Sequence, residues 1–367
     1  MPKPVTLNMQ KGHTLLLKGP AWIRARKGDV RCFAAPIQSD DWLIIEEPRQ
    51  EPFYATDDAV LEIRRGPGSS WTVVPESTVP SAWSEAADIV KRQRGVCVII
   101  GEVDSGKSSF CTFLANKCLE ETGKVGVVDV DVGQADIGPP TTISSSVVQA
   151  PIIGLHKARA EISFFIGDTS PSLVPGKVVT LASRLKKSIM RSADTVLVNT
   201  DGWLAEFNAL LHKQLLLEEI QPDLVVALSR SGEIIESFLD RVKFTSLKLP
   251  SSSFARIRSK EERRKAREAG YKRFLQSSRK LGISQETRVR LFDQLEQTVF
   301  PDNQLFRGRV AGLLSQNEQL LGIGRINQVA NGKVVVETKA DETPATLEIG
   351  NIALSSTYEE VGYGTLH

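Results

Sequence analysis

One eight-residue stretch limits what this chain can fold into more than any other. Gly101-Glu-Val-Asp-Ser-Gly106-Lys107-Ser108 fits G-x-x-x-x-G-K-[ST] in full, the spacing of a phosphate-binding loop. Such a loop has to join the end of a buried strand to the start of a helix, and both flanks are present. Val96–Ile100 is an unbroken apolar run, and Phe110, Phe113, Leu114 and Cys118 follow the loop at helical spacing as far as Gly123. Backbone N–H groups at the start of that helix would point at an anion, and the helix dipole favours it. The two glycines let the main chain curl around phosphates with no Cβ in the way. Gly101, Glu102, Val103, Asp104, Ser105, Gly106, Lys107, Ser108 and Ser109 are the expected nucleotide-binding set. Lys107 would reach the β/γ oxygens and the Ser108 hydroxyl would ligate Mg²⁺. Glu102 and Asp104 put two acids beside the phosphates, for which the sequence alone offers no physical account beyond contacts to the nucleoside.

Around the loop, apolar runs suited to strands buried on both faces recur at Val125–Val130, Thr195–Asn199, Leu224–Leu228 and Phe244–Leu249,. Amphipathic stretches such as GKVVTLASRLKKSIMRSA and LAEFNALLHKQLLLEEI lie between them. This alternation predicts an α/β fold, a P-loop NTPase-type parallel sheet flanked by helices. Residues 1–80 read differently, as short apolar runs broken by Gly, Pro and Asp, and predict a small β domain. A connecting helix is expected from about Ser81 to Arg94. From about Gln304 a β rhythm returns in GRVAGLLSQ, LLGIGRI and KVVVETKA. The expected division is an N-terminal β domain (1–80), a P-loop domain (81–300) and a C-terminal β domain (301–367), which 367 residues can accommodate,.

Composition narrows the setting. Forty-one per cent apolar residues are ordinary for a soluble protein,. With 46 basic against 44 acidic residues, any nucleic-acid surface must come from local clustering. No stretch approaches the length needed to span a membrane, and the N-terminus has no signal-type apolar run. Cys32, Cys97, Cys111 and Cys118 form no Cys-x-x-Cys pair and are expected as reduced core thiols, in keeping with an intracellular, cytoplasmic protein.

Two further segments carry chemistry. In VGVVDVDVGQADIGPP, Asp129 and Asp131 stand two apart at a strand's carboxyl end, where open α/β sheets place their ligands. One acid there suits a Mg²⁺ helper, and a second nearby could take a proton from an attacking hydroxyl; a turn-capping role for one of them is the plainer alternative. The run Arg256–Phe274 holds nine Lys/Arg against three Glu. Spacing leaves open a solvated helix with i,i+4 pairs, an arginine lid over a triphosphate and a track for a nucleic-acid backbone. Thr338-Lys-Ala-Asp341 matches the guanine motif of a GTPase, but it lies in the C-terminal β segment and is expected to be a hairpin turn.

GEVDSGKSS, DVDVGQ, NTDGW (Asn199–Trp203) and RSKEERR (Arg258–Arg264), in this order and spacing, resemble the Clp/Grc family of polynucleotide 5′-hydroxyl kinases. The resemblance covers roughly residues 81–275 and looks most like the compact archaeal RNA kinases, without long terminal extensions. It implies a lid helix at about 256–275 and an enzyme that passes the γ-phosphate of ATP or GTP, with Mg²⁺, to the 5′-hydroxyl of single-stranded RNA or DNA. It assigns Lys107, Asp131, Arg258 and Arg263 to catalysis and Ser108 and Asp129 to the metal. Gln134, Thr169, Trp203 and Arg267 fall on the substrate side, with Trp203 stacking on a terminal base. The competing expectations are a nucleotide-clamped RNA-binding module without kinase activity and a regulatory P-loop NTPase.

Overall fold

The computed structural model describes residues 3–37, 41–230, 232–284, 286–292, 306–330 and 333–361. Its centre is a seven-stranded sheet. The strands run in the order Ile162–Phe165, Thr142–Val148, Val125–Asp129, Thr195–Asn199, Gly95–Gly101, Leu224–Ser229 and Ser246–Pro250. The last five of these are mutually parallel, as the alternating pattern predicts. Period-two alternation divides their side chains between two cores. Val96, Val98 and Ile100 face helices α3 (Pro175–Ile189) and α4 (Phe207–Ile220). Cys97 and Ile99 face α1 (Ser81–Gln93) and α2 (Lys107–Thr122). All four cysteines are free and buried.

The sheet is not parallel throughout. Thr142–Val148 and Ile162–Phe165 add an antiparallel edge. The sequence hides the first of these behind serines, which are nevertheless at most 1% exposed at Ser144, Ser145 and Ser146. A hydrogen bond of 2.8 Å between the hydroxyls of Ser144 and Ser163 joins the two strands, so the Ser144 hydroxyl is satisfied by its cross-strand neighbour.

On the N-terminal side, two antiparallel sheets enclose one core built on Leu15, Leu17, Ile23, Phe53, Leu61 and Ile63. On the C-terminal side, one sheet gathers Arg309–Leu314, Leu320–Ala330, Lys333–Thr338 and Thr346–Leu354. That sheet also recruits Arg279–Gly282 and Arg288–Leu291, strands that lie before the boundary expected near 300. The boundary itself falls in 293–305, outside the described residues. Thr338–Asp341 is not a hairpin turn. The strands it connects, Lys333–Thr338 and Thr346–Leu354, are separated in the sheet by two others. The Thr338 hydroxyl donates to the Ile323 carbonyl at 2.8 Å and accepts from the Ala340 amide at 3.0 Å, turning the chain out of the strand.

The edge of the central sheet packs on this C-terminal layer. Phe165, Tyr271 and Leu275 share a core with Val310, Leu314 and Ile352. After the short helix α5 (Glu233–Leu239), Tyr271 and Leu275 belong to α6 (Lys260–Leu275), which opens with a capping box between Ser259 and Glu262. Among the described residues, no helix is long and apolar enough to cross a membrane.

Candidate active site

The loop Gly101–Ser108 lies between the central strand Gly95–Gly101 and α2, as its motif requires. Gly106 takes φ +95° as the residue before the helix, a backbone that glycine adopts without strain. The Trp83 ring supports the loop from below. It lies 1% exposed, edge-on to Phe110 with ring centroids 5.0 Å apart, and its indole N–H donates to the Pro250 carbonyl at 3.0 Å. The Lys107 ammonium is buried and donates to the carbonyls of Gly101 (2.9 Å) and Glu102 (2.7 Å). Burial pulls its pKa down to about 8, against the opposing pull of the Asp131 and Asp201 carboxylates.

The second motif forms a tight loop around its own acids. Asp129, 2% exposed, accepts at one oxygen from the amides of Asp136 (2.7 Å) and Ile137 (3.2 Å). Its other oxygen accepts from the Asn199 side chain at 3.0 Å and the Asp131 amide at 3.4 Å. Asp129 therefore holds the loop in shape, and burial together with Asp136 and Asp131 raises its pKa. Asp131 accepts from the amides of Gly133 (3.1 Å) and Gln134 (2.9 Å). Burial, and then the negative charge of Asp201, push its pKa up to about 6. Gly133 is dictated by close approach, since a Cβ there would lie 2.7 Å from the Thr169 carbonyl oxygen.

On the metal side, the Ser108 hydroxyl accepts from Asn199 at 3.3 Å and adjoins the Asp136 carboxylate, whose pKa burial would raise but Arg49 and, more weakly, Ser108 hold below the ordinary value. Sequence reasoning passed over Asp136. Its carboxylate also accepts from Arg49, 2.9 Å away and 87 residues earlier. A hydroxyl beside a carboxylate is a hard-oxygen donor set that fits Mg²⁺ carried in with nucleotide phosphates.

Arg258 and Arg263 stand over the loop. Arg258 donates to Asp104 and, at 2.9 Å, to the Gln134 side-chain oxygen. Arg263 reaches Asp104 at 3.3 Å, and the Gln134 amide donates to the Arg263 carbonyl at 3.3 Å. Three separate sequence motifs thus form one hydrogen-bonded unit. Arg267 is placed differently: its guanidinium pairs with Glu360 at 2.5 and 2.6 Å, tying α6 to the C-terminal sheet. Glu262 pairs with Arg256 and completes the capping box with Ser259.

Trp203 is half-buried, its ring 6.0 Å from that of His212, and its amide donates to Asp201 at 2.8 Å. The other Asp201 oxygen pairs at 2.5 Å with Lys213 of α4, which is fully buried. Gly202 lies against the phosphate loop, where a Cβ would come within 2.6 Å of the Val103 backbone.

One cavity of about 860 Å³ joins these groups. Lys107, Ser108, Asp131, Gln134, Thr169, Trp203, Arg258, Arg263 and Arg267 all line it. Asp129 does not line it directly and acts through the loop. The N-terminal domain contributes a wall that sequence reasoning did not identify, with Lys18, Arg49 and Glu51 on it. No local spacing marks these residues, because the fold alone brings them to the phosphate loop.

Residues 101–277 match the family model described as the mRNA cleavage and polyadenylation factor CLP1 P-loop. The chain is 32% identical over 214 residues to the polyribonucleotide 5′-hydroxyl-kinase of Pyrococcus furiosus, covering 58% of this chain and 56% of that protein. It is 28% identical over 263 residues to the corresponding kinase of Pyrococcus abyssi, covering 70% of each. Against the first of these relatives, then, the chain spans only a little over half the length. A solved structure of Clp1p in complex with a segment of Pcf11p superposes with a TM-score of 0.78 over 96% of this chain and 98% of that one; at 14% identity this likeness concerns the fold.

Proposed function

We propose that this chain, whose P-loop segment resembles the Clp/Grc family of polynucleotide 5′-hydroxyl kinases, transfers the γ-phosphate of ATP or GTP to the 5′-hydroxyl of RNA or DNA. One observation carries the reading. A carboxylate with raised basicity (Asp131), a buried ammonium (Lys107), two guanidiniums (Arg258, Arg263) and a half-buried indole (Trp203) line the same cavity. A hydrolase would need only the first part of this set, whereas a transferase to a nucleic-acid end needs a surface for a base as well.

In the proposed step the substrate's 5′-oxygen forms a bond to the γ-phosphorus as the bond from that phosphorus to the β–γ bridging oxygen breaks, releasing the nucleoside diphosphate. Asp131 orients the hydroxyl and accepts its proton. A carboxylate whose pKa is pushed up to about 6 is a better base than an ordinary aspartate and is still ionised at neutral pH,. Lys107 and the two arginines offset the charge spread over the equatorial phosphate oxygens. Bound with the nucleotide, Mg²⁺ would supply further charge neutralisation, held by the Ser108 hydroxyl and the neighbouring Asp136 carboxylate while Asp129 keeps their loop in register. Trp203 offers a face to the terminal base without regard to its identity. The walls from the N-terminal domain support a nucleoside position there, and four buried reduced thiols support an intracellular, cytoplasmic setting.

The test mixes purified protein, γ-labelled ATP, Mg²⁺ and a short single-stranded RNA with a 5′-hydroxyl, with its 5′-phosphorylated copy as control. Label is expected on the hydroxyl-ended strand alone. Nucleotide binding without any transfer would overturn the kinase reading and leave a nucleotide-clamped RNA-binding module.

A further inference from the structure

The phosphate loop of this chain carries an acid where repulsion of a triphosphate would seem to forbid one, and its surroundings account for it. The Asp104 carboxylate accepts from the Arg258 amide (2.8 Å) and from the Arg258 Nε (2.7 Å) and Nη2 (2.6 Å). Arg263 Nη1 adds a fourth donor at 3.3 Å and bonds the Arg258 carbonyl at 2.6 Å. The Asp104 side chain is 2% exposed, whereas those of Arg258 and Arg263 are 33% and 25% exposed. The carboxylate is thus enclosed by its partners while both guanidiniums keep an open edge on the cavity. Two positive charges set against one negative charge leave a net +1 above the loop, so the cluster still attracts phosphate. Asp104 holds a left-handed backbone at φ 59°. Glycine would take that conformation more readily, but Asp tolerates it, and its carboxylate supplies both oxygens that the lid arginines bond. The neighbouring Glu102 also serves a tie, accepting from the Arg230 amide at 3.2 Å.

We propose that Asp104 is a positioning residue for the lid: its carboxylate orients Arg258 and Arg263 over the phosphate loop and does not contact the nucleotide. The catalytic consequence rests on the kinase reading above. Donors fixed in place before the reaction stabilise developing charge without reorganising, and Gln134, bonded to both lid arginines, extends the same bracing to the Asp131 loop.

The experiment uses the full chain and two variants. Asp104→Asn keeps the side-chain shape while removing its charge. Arg258→Lys removes the forked contact and leaves the phosphate loop itself untouched, so the test survives a folding failure of the first variant. Amide hydrogen exchange across residues 258–266 is expected to quicken about tenfold in both. ATP affinity of Asp104→Asn, titrated with a fluorescent ATP analogue, should stay within about threefold of the parent, while kcat for transfer drops about 100-fold, the scale of an ångström-size misplacement. Unchanged lid exchange in either variant overturns the proposal. So does a tenfold loss of ATP affinity in Asp104→Asn with the lid still protected. If the parent protein transfers no phosphate at all, the kinase reading falls alone, because exchange and ATP titration still decide what Asp104 holds.

Discussion

Asp131 shows how a residue's chemistry is set by its neighbours more than by its type. Its carboxyl titrates near pH 6 because it is buried and faces Asp201, with Lys107 pulling the other way. In the proposed reaction the base must be ionised, so phosphoryl transfer should climb as pH rises through about 6 and flatten above it, read as kcat/KM against pH, which reports the free protein's groups. Asp131→Ala should lower kcat by roughly 10²–10⁴-fold while ATP binding stays near normal; near-normal turnover would remove Asp131 from the base role. Trp203→Ala should raise KM for the oligonucleotide and leave KM for ATP almost unchanged. Equal losses in both would mark a folding defect. A different residue, Glu51 on the N-terminal wall, is pushed up to about 8 by burial, with Arg49 only partly offsetting this. The folded state then keeps a proton that the unfolded chain releases near pH 4.5. Glu51 therefore favours the folded state below that pH, and the benefit is lost as pH rises towards 8, at most about 1.4 kcal/mol per pH unit. Glu51→Gln should be more stable than the parent at pH 8 and lose its advantage near pH 4.5, measured as a difference in urea midpoints. Taking the difference matters because His156, whose pKa burial depresses, acts in the opposite sense.

Elements turn these residues into a site, and here the sequence was informative in some places and silent in others. Strand-loop-helix at 95–122 was legible because a doubly buried strand, a glycine-bounded loop and a helical apolar face each leave a local pattern. Thr142–Val148 was not, because three buried serines in a row look like a loop until Ser163 appears opposite them. Asp136, Arg49 and Lys213 were also invisible: their meaning lies in partners 12 to 87 residues away. The segment Asn199–Trp203 illustrates the point. It is braced by Asp201, which is braced in turn by the fully buried Lys213 of α4. Removing one member of such a pair leaves an uncompensated buried charge. Lys213→Met should therefore destabilise the protein by roughly 3–5 kcal/mol in urea unfolding, and adding Asp201→Asn should restore much of the loss. If the two changes were simply additive, the pair would not be the brace described.

At the scale of the whole molecule, the cavity lies between the N-terminal and central layers, and both outer layers are joined to the centre by ion pairs and apolar contacts. Arg49–Asp136 reaches in from the N-terminal side. Lys177 of α3 pairs with Glu348 on the C-terminal side. The overall class, an α/β sheet with β layers at both ends, was legible because each layer writes its own periodicity. The strands at 279–291 were not assigned to the C-terminal layer, because a short charged strand gains its identity only from the sheet it joins.

The tie between Arg267 and Glu360 has a mechanical meaning. Helix α6 is clamped at its far half, by that pair and by Tyr271 and Leu275 in the core shared with the C-terminal sheet, while its near end is secured only by polar contacts over the cavity. If the helix acts as the proposed lid, it is a cantilever, and opening should bend the first turns and leave the root still. Glu360→Gln should let the whole beam swing, extending fast amide exchange from 258–266 into 267–275, whereas a root that stayed protected would place the clamp in the apolar core alone. A layer with no described residue lining the cavity would then set the stiffness of the arm proposed to close over it.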